Sequence, residues 1–251
     1  MTRGWLRSRA TLGLAAALAV TLGALSGCAA HSEPRPITED EADRLSEVLY
    51  VAFQAGGASF NLTSLATDGS TLTMTGDIDF ANHAGLASLA STGSDAKVTQ
   101  VAWLDNTVLE YIPALLELAE VQGVGGFTWV ARPVDAATYP VDAQLAILRA
   151  LASDVRENPQ LLRQNGVTWL RDDTLGGVAV EVFQYGDRTK FWVEKGATRL
   201  VRFEGNNANG DAPIVIDFTD PGTRTIDLPT LEQTVAVQDV AELYAVARAT
   251  E

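Results

Sequence analysis

The sequence predicts an α+β fold, a curved antiparallel sheet with helices packed against one face. Three observations carry that prediction. A capped amphipathic helix opens the region after residue 37, and apolar–polar alternation of period two follows it. The last third is a series of short strands punctuated by glycines at regular spacing.

The capped helix begins at Thr38-Glu39-Asp40-Glu41, where Thr38 and Glu41 can each satisfy one free N–H. Ala42, Leu45, Val48, Leu49, Ala52 and Phe53 then recur at helical spacing, and Gly56-Gly57 ends the run. Phe60 and Leu62 alternate with polar neighbours, Asp68-Gly69 signals a hairpin, and Leu72, Met74, Ile78 and Phe80 alternate on the return. Gly76 takes the remaining inward slot, where it permits a bend or a close approach.

Residues 81–95 are rich in Ser, Gly and Ala and read as a loop. Strand patterning resumes over 97–104, turns at Asp105-Asn106 and returns over 107–112. Pro113 opens a short helix that Gly123, Gly125 and Gly126 break. Phe127 to Val130 is a short strand or extended connection. Leu145, Leu148, Leu151, Ala152 and Val155 mark a helix over 141–156, which Asn158-Pro159 terminates. The meander comprises strands over 168–172, 178–185, 189–194, 199–204 and 214–218. A final amphipathic stretch, 237–249, places Val240, Leu243, Tyr244 and Ala247 on one side.

Composition narrows the function. The chain has 251 residues with 18 Lys+Arg against 32 Asp+Glu, a formal charge of −14. That excess argues against nucleic acid, whose phosphates need clustered cations. A single cysteine excludes an intramolecular disulfide and a Cys-based zinc site.

The N-terminus reads as an address. Arg3, Arg7 and Arg9 precede an apolar run over 10–24, followed by Leu25-Ser26-Gly27-Cys28. This order describes a secretory signal, and the run is shorter than the ~20 residues of a spanning helix. Leu-Ser-Gly-Cys resembles the bacterial lipobox, which implies cleavage before Cys28 and lipidation there. The expected division is a signal over 1–27, a lipidated Cys28 with tether over 28–37, and one domain over 38–251. The net −14 becomes −17 once the three leader arginines are removed. Such a body is repelled by an anionic membrane and stands off on its tether. The expected location is the outer face of the bacterial cytoplasmic membrane.

Beyond the lipobox, the capped helix, the 60–80 hairpin with Gly76-Asp77, the central helices and the meander resemble the actinobacterial LppX/LprG-type lipoproteins of the LolA-like group. Within the meander, Thr189-Lys190-Phe191-Trp192-Val193-Glu194 and Arg199-Leu200-Val201-Arg202-Phe203 are similar to that group's Trp-bearing strand and its successor. The stretch after Leu231 departs from the family, which ends soon after its last strand. The resemblance implies an eleven-stranded half-barrel with helices across its concave face. Between them the family holds acyl chains of lipids, lipoproteins or glycolipids, without enzymatic activity.

Twelve residues fall on apolar strand faces and are the candidate cavity wall: Phe60, Leu62, Leu72, Met74, Ile78, Val180, Val182, Phe191, Val193, Ile214, Ile216 and Phe218. The pattern alone does not distinguish a wall facing ligand from a filled core. Trp192 shares its strand parity with Lys190 and Glu194, which points it outward or to a rim.

Carboxylate pairs occur at Asp77/Asp79, Asp172/Asp173 and Asp217/Asp220, as 32 acids make expected by chance. No Gly-x-Ser-x-Gly accompanies His83, and Gly123-x-Gly125-Gly126 lacks the strand-to-helix context of a dinucleotide site. No catalytic, metal or cofactor site is expected. The expected partners are an acylated envelope lipid or glycolipid and, through Cys28, the membrane. The alternative is an anchored scaffold with a filled core that meets an envelope protein.

Overall fold

The computed structural model describes residues 33–65, 69–92, 99–206 and 213–249, and its strands join in one sheet. In chain order they are β1 (Arg35–Pro36), β2 (Gly57–Leu65), β3 (Thr71–Asp79), β4 (Ala84–Thr92), β5 (Thr99–Leu104), β6 (Thr107–Tyr111) and β7 (Trp129–Pro133). The later ones are β8 (Thr168–Leu175), β9 (Val178–Tyr185), β10 (Thr189–Glu194), β11 (Leu200–Asn206), β12 (Pro213–Thr219) and β13 (Thr234–Ala236). The helices are α1 (Glu39–Ala55), α2 (Pro113–Val121), α3 (Pro140–Arg149), α4 (Pro159–Gln164) and α5 (Ala241–Ala249).

The spatial order is β1-β8-β9-β10-β11-β12-β2-β3-β4-β5-β6-β7-β13. Two antiparallel meanders, β2–β7 and β8–β12, therefore meet edge to edge where β12 pairs with β2. Every strand pair is antiparallel except β13 beside β7. The expected α+β architecture, a curved open antiparallel sheet with helices on one face, is the one observed. The sheet has 13 strands where the resemblance implies eleven. The additional pairings include the short β1 and the parallel β13 at its two edges.

Thr38 caps α1 as the sequence predicts. Its side chain accepts from the Glu41 N–H, and the Glu41 carboxylate accepts from the Thr38 N–H. Gly56, at φ 89°, ends the helix in a backbone region that favours glycine. Ala42, Leu45 and Val48 of α1 and Leu145 and Leu148 of α3 bury against Leu62, Met74, Ile78, Ile214 and Ile216. That is the main core. A second cluster joins α2, α5 and Val130 of β7 further along the sheet.

The structure corrects four expectations. Residues 84–92, expected as loop, form β4, hydrogen-bonded between β3 and β5. Its small residues are there because larger neighbours cover them: a Cβ on Gly85 would overlap the Trp103 ring. Gly76 is the anticipated close approach, since a Cβ there would meet the Leu86 carbonyl. The central helix stops at Arg149, not at residue 156. The chain after it folds back onto α1, where Ser153 N–H donates to Leu49 O and Glu157 N–H to Ser46 O. Asn158 starts a helix instead of ending one, because its side chain accepts from the Gln160 N–H at the start of α4. Arg35–Pro36, expected as tether, pairs with β8, and Ile37 is buried in the core. Cys28, His31 and Asp68 lie outside the described residues.

Candidate functional site

Register places each candidate wall residue. Leu62 faces Met74 and Ile216, Phe60 faces Phe218, and Ala58 faces Ile78 on adjacent strands. Phe60, Leu62, Met74, Ile78, Val193, Ile214 and Ile216 are all buried in the main core, and Leu72 and Phe191 pack half-buried against it. Most of the concave face is thus filled with protein. Val180 and Val182 are a correction. They cluster with Trp192 and Val201 on the opposite face of the sheet. Glu181 and Phe183 face the helices in their place, and Arg44 of α1 donates to Glu181 at 2.6 Å. Trp192 does point away from the helices, but it is 5% exposed and not a rim residue.

The core is not filled at one end. Between the last turns of α1 and the sheet lies an apolar cavity of about 330 Å³. Val51, Ala52 and Ala55 line it from the helix, and Gly57 and Ala58 from the start of β2. Phe80 and Phe218, with ring centroids 6.2 Å apart and tilted by 57°, form a second wall. Leu151, Leu200, Pro221 and Gly222 complete its apolar lining. The hollow follows from local sequence. Upstream, α1 presents Leu45 and Val48 to the sheet, whereas its last turns present Ala52 and Ala55 opposite Gly57 and Ala58. Small side chains on both surfaces leave the layers apart.

Of the twelve candidates, only Phe218 lines this cavity. The signal that would have found it is the run from Ala55 through Ala58, four small residues in succession where helix meets strand. No carboxylate lines it, and Arg199 is its single charged residue. Arg199 Nε donates to Glu194 Oε2 at 2.7 Å.

The acid pairs named from sequence are mostly engaged elsewhere. Asp77 accepts from Ser59 and Arg224, Asp172 from Lys195, Asp173 from Arg171 and Asp217 from Arg202. One charge cluster escaped the sequence reading. Arg132 donates twice to Asp142, at 2.6 and 2.8 Å, and once to Glu110 at 2.6 Å. Tyr244 OH of α5 donates to Glu110 at 2.7 Å. Burial alone would lower the Arg132 pKa, but hydrogen bonds to Asp142 and Glu110 outweigh it and raise it. The Tyr244 hydroxyl is pushed up, first by burial and then by the Glu110 charge. This network ties α3 and α5 to β6 and β7, away from the cavity residues.

No protein-family model matches the chain, and no curated protein does. Several solved structures are similar to the chain in outline, among them the following three. LprF from Mycobacterium bovis aligns at 11% identity over 78% of this chain and 99% of that one, with a TM-score of 0.49. A LolA superfamily protein from Nitrosomonas europaea aligns at 11% identity over 77% and 96%, with a TM-score of 0.29. MucB in its complex with MucA, from Pseudomonas aeruginosa, aligns at 12% identity over 77% and 61%, with a TM-score of 0.35. The chain spans less than two thirds of that last structure. All three scores lie below 0.5.

Proposed function

We propose that this chain is a lipid-anchored extracytoplasmic protein that holds an acyl chain of an envelope lipid or lipoglycan, for transfer or storage. The observation that carries the reading is the 330 Å³ apolar cavity between α1 and the sheet. Its volume lies at the lower end of the ~300–1,000 Å³ range of ligand pockets. Ten methylenes buried there would contribute roughly 8 kcal/mol before association costs. Those costs, about 4 kcal/mol or more, put the expected affinity in a range suited to exchange rather than permanent capture. A lining without a carboxylate favours binding over hydrolysis. The anchor on Cys28 is supported by the lipobox-like sequence, and the excess of acids keeps the body off an anionic bilayer.

The test is to secrete the body from Ala29 onward in a bacterium, weigh it intact under native conditions, and extract any bound lipid. A stoichiometric acylated species supports the reading and names the ligand class. A clean apo mass with no uptake of added lipid favours a second reading, an anchored scaffold for an envelope protein. The filled concave face around Leu62, Met74, Ile214 and Ile216 is the specific observation behind that alternative.

A further inference from the structure

The apolar cavity meets water beside Pro221. Of the residues that line it, Pro221 alone is exposed, while Phe80, Phe218, Leu151 and Leu200 are at most 7% exposed and close it inward. Pro221 and Gly222 belong to a strap, residues 220–224, that follows β12 and abuts the end of α1: a Cβ on Gly56 would lie 3.3 Å from Thr223 Cα. The strap is pinned to the sheet. Gly222 N–H donates to Gly57 O at 2.9 Å. Arg224 donates through Nε to Asp77 at 3.1 Å and through Nη2 to Ser59 at 3.3 Å. Ser59 and Asp77 are register partners that alternate with the inward Ala58 and Ile78, so Arg224 grips the sheet from the face opposite the helices. Gly57 makes room for it, because a Cβ there would fall 2.9 Å from the Arg224 side chain. No ionic group points into the hollow to recognise a head group. Arg199 is in the lining, but its guanidinium is bound to Glu194, which shares strand parity with Trp192 on that opposite face.

We infer that the cavity is a length-limited site for a single-chain amphiphile. One acyl chain enters between the end of α1 and the strap, and its head group stays in water. The inference deepens the acyl-chain reading above and rests on it. Volume sets the chain. About 330 Å³ is roughly twice the ~150 Å³ of an apolar cavity that holds one benzene ring, room for on the order of a dozen carbons and not for two such chains. The lining sets the rest: methylenes gain by burial against Phe80, Phe218 and α1, whereas a hydrated head group would lose its water there without a partner. Arg224 is the positioning residue of the mouth, since it holds the strap that carries Pro221 and Gly222.

The test uses the full chain carrying Cys28→Ser, so that no anchor lipid confuses the binding signal. Calorimetric titration compares lysophosphatidylcholines with octanoyl, decanoyl, lauroyl, palmitoyl and stearoyl chains, monolauroylglycerol, and dilauroyl phosphatidylcholine vesicles. Affinity is expected to climb about fourfold per added methylene as far as lauroyl and to level off beyond it. A rise that continues to stearoyl, or dilauroyl phosphatidylcholine bound as tightly as the lauroyl lysolipid, overturns the single-chain assignment. Monolauroylglycerol should match the lauroyl lysolipid to within about tenfold, the scale of one charge-assisted contact, and a larger gap overturns the placing of the head group in water. Ala52→Leu serves as the control for the site: binding that it leaves undiminished lies outside the cavity and overturns the inference. Stopped-flow uptake and release of the lauroyl lysolipid test the mouth. Arg224→Gln should speed both by about threefold, the scale of an exposed ion pair, with the affinity unchanged. Arg224→Lys, which keeps a cation beside Asp77, should restore the slower rates. Arg224→Gln rates equal to the parent's overturn the entry path. Binding of no probe at all defeats the acyl-chain reading itself, and the present inference with it.

Discussion

The indole of Trp103 occupies the space that a side chain at Gly85 would fill. The two residues are register partners on β4 and β5, with Gly85 between Ile78 and Trp103 across the sheet. The ring also meets Phe60, with centroids 6.3 Å apart. Small residues on β4 thus make room for an aromatic pair that fills the middle of the concave face and confines the hollow to one end.

Gly85→Ala should therefore destabilise the fold without touching the cavity. The added methyl has to displace a ring packed at 1% exposure, and overpacking of this kind costs about 1–3 kcal/mol. Urea unfolding should show a lower midpoint at unchanged slope, with altered tryptophan emission in the native state. A midpoint equal to that of the parent would show that the ring does not sit over Gly85.

Glu41 gives the fold an acid-sensitive latch. Its carboxyl is held at about 2, below the ordinary 4.5, foremost by hydrogen bonds from Arg35 and then by the Thr38 N–H, against the opposing effect of burial. A depressed folded-state pKa stabilises the fold above about pH 4.5, and that contribution is lost as pH falls from 4.5 toward 2. Glu41→Gln should cost about 1–2 kcal/mol at pH 7, combining a weakened helix cap with a partly solvent-screened ion pair. The deficit should shrink toward zero near pH 2. A deficit constant across that window would mean that the Glu41 charge contributes nothing.

The elements legible in the sequence were those whose signal is local. The Thr38–Glu41 box, the hairpin from Phe60 to Phe80 and the glycine-punctuated meander each announce themselves within a few residues. What the sequence did not disclose depended on distant partners. β4 looks like a loop until Trp103 explains its small residues. The face of β9 is ambiguous in the sequence because both of its faces carry apolar residues, Phe183 on one and Val180 and Val182 on the other. Glu181 can turn inward only because Arg44, 137 positions away, neutralises it. Whether the core is hollow depends on volumes across the layer. Alternation of apolar residues found the filled part, and the alanine–glycine run at Ala55–Ala58, which marks the hollow, carries no alternation.

Filling that hollow should separate binding from stability. Ala52→Leu adds a branched side chain to the helix wall of the cavity, on a residue that prefers helix. Stability is expected to hold or rise by about 0.5–2 kcal/mol, as for other cavity-filling changes. Uptake of an acyl probe should fall at least about tenfold, the loss from two buried methylenes or more. Thermal unfolding and probe titration on the same sample check both halves. Undiminished uptake would place the acyl chain somewhere other than this cavity.

The Arg132 network holds the C-terminal helix, and its removal should be asymmetric. Arg132→Met leaves Glu110 and Asp142 as buried carboxylates without their cation, a change that costs about 3–5 kcal/mol. Replacing all three at once, with Met at 132 and Leu at 110 and 142, removes the uncompensated charge and should recover most of that loss. Tyr244→Phe deletes only the hydroxyl bonded to Glu110 and should cost about 1.5–3 kcal/mol, as hydrogen bonds to charged groups do. Because α5 reaches β6 through that hydroxyl, the loss should appear first as faster amide exchange in residues 241–249, ahead of the main core. Equal exchange in both regions would mean that α5 unfolds only with the whole sheet, and that the apolar contacts of Ile112, Leu115 and Val130 suffice to hold it.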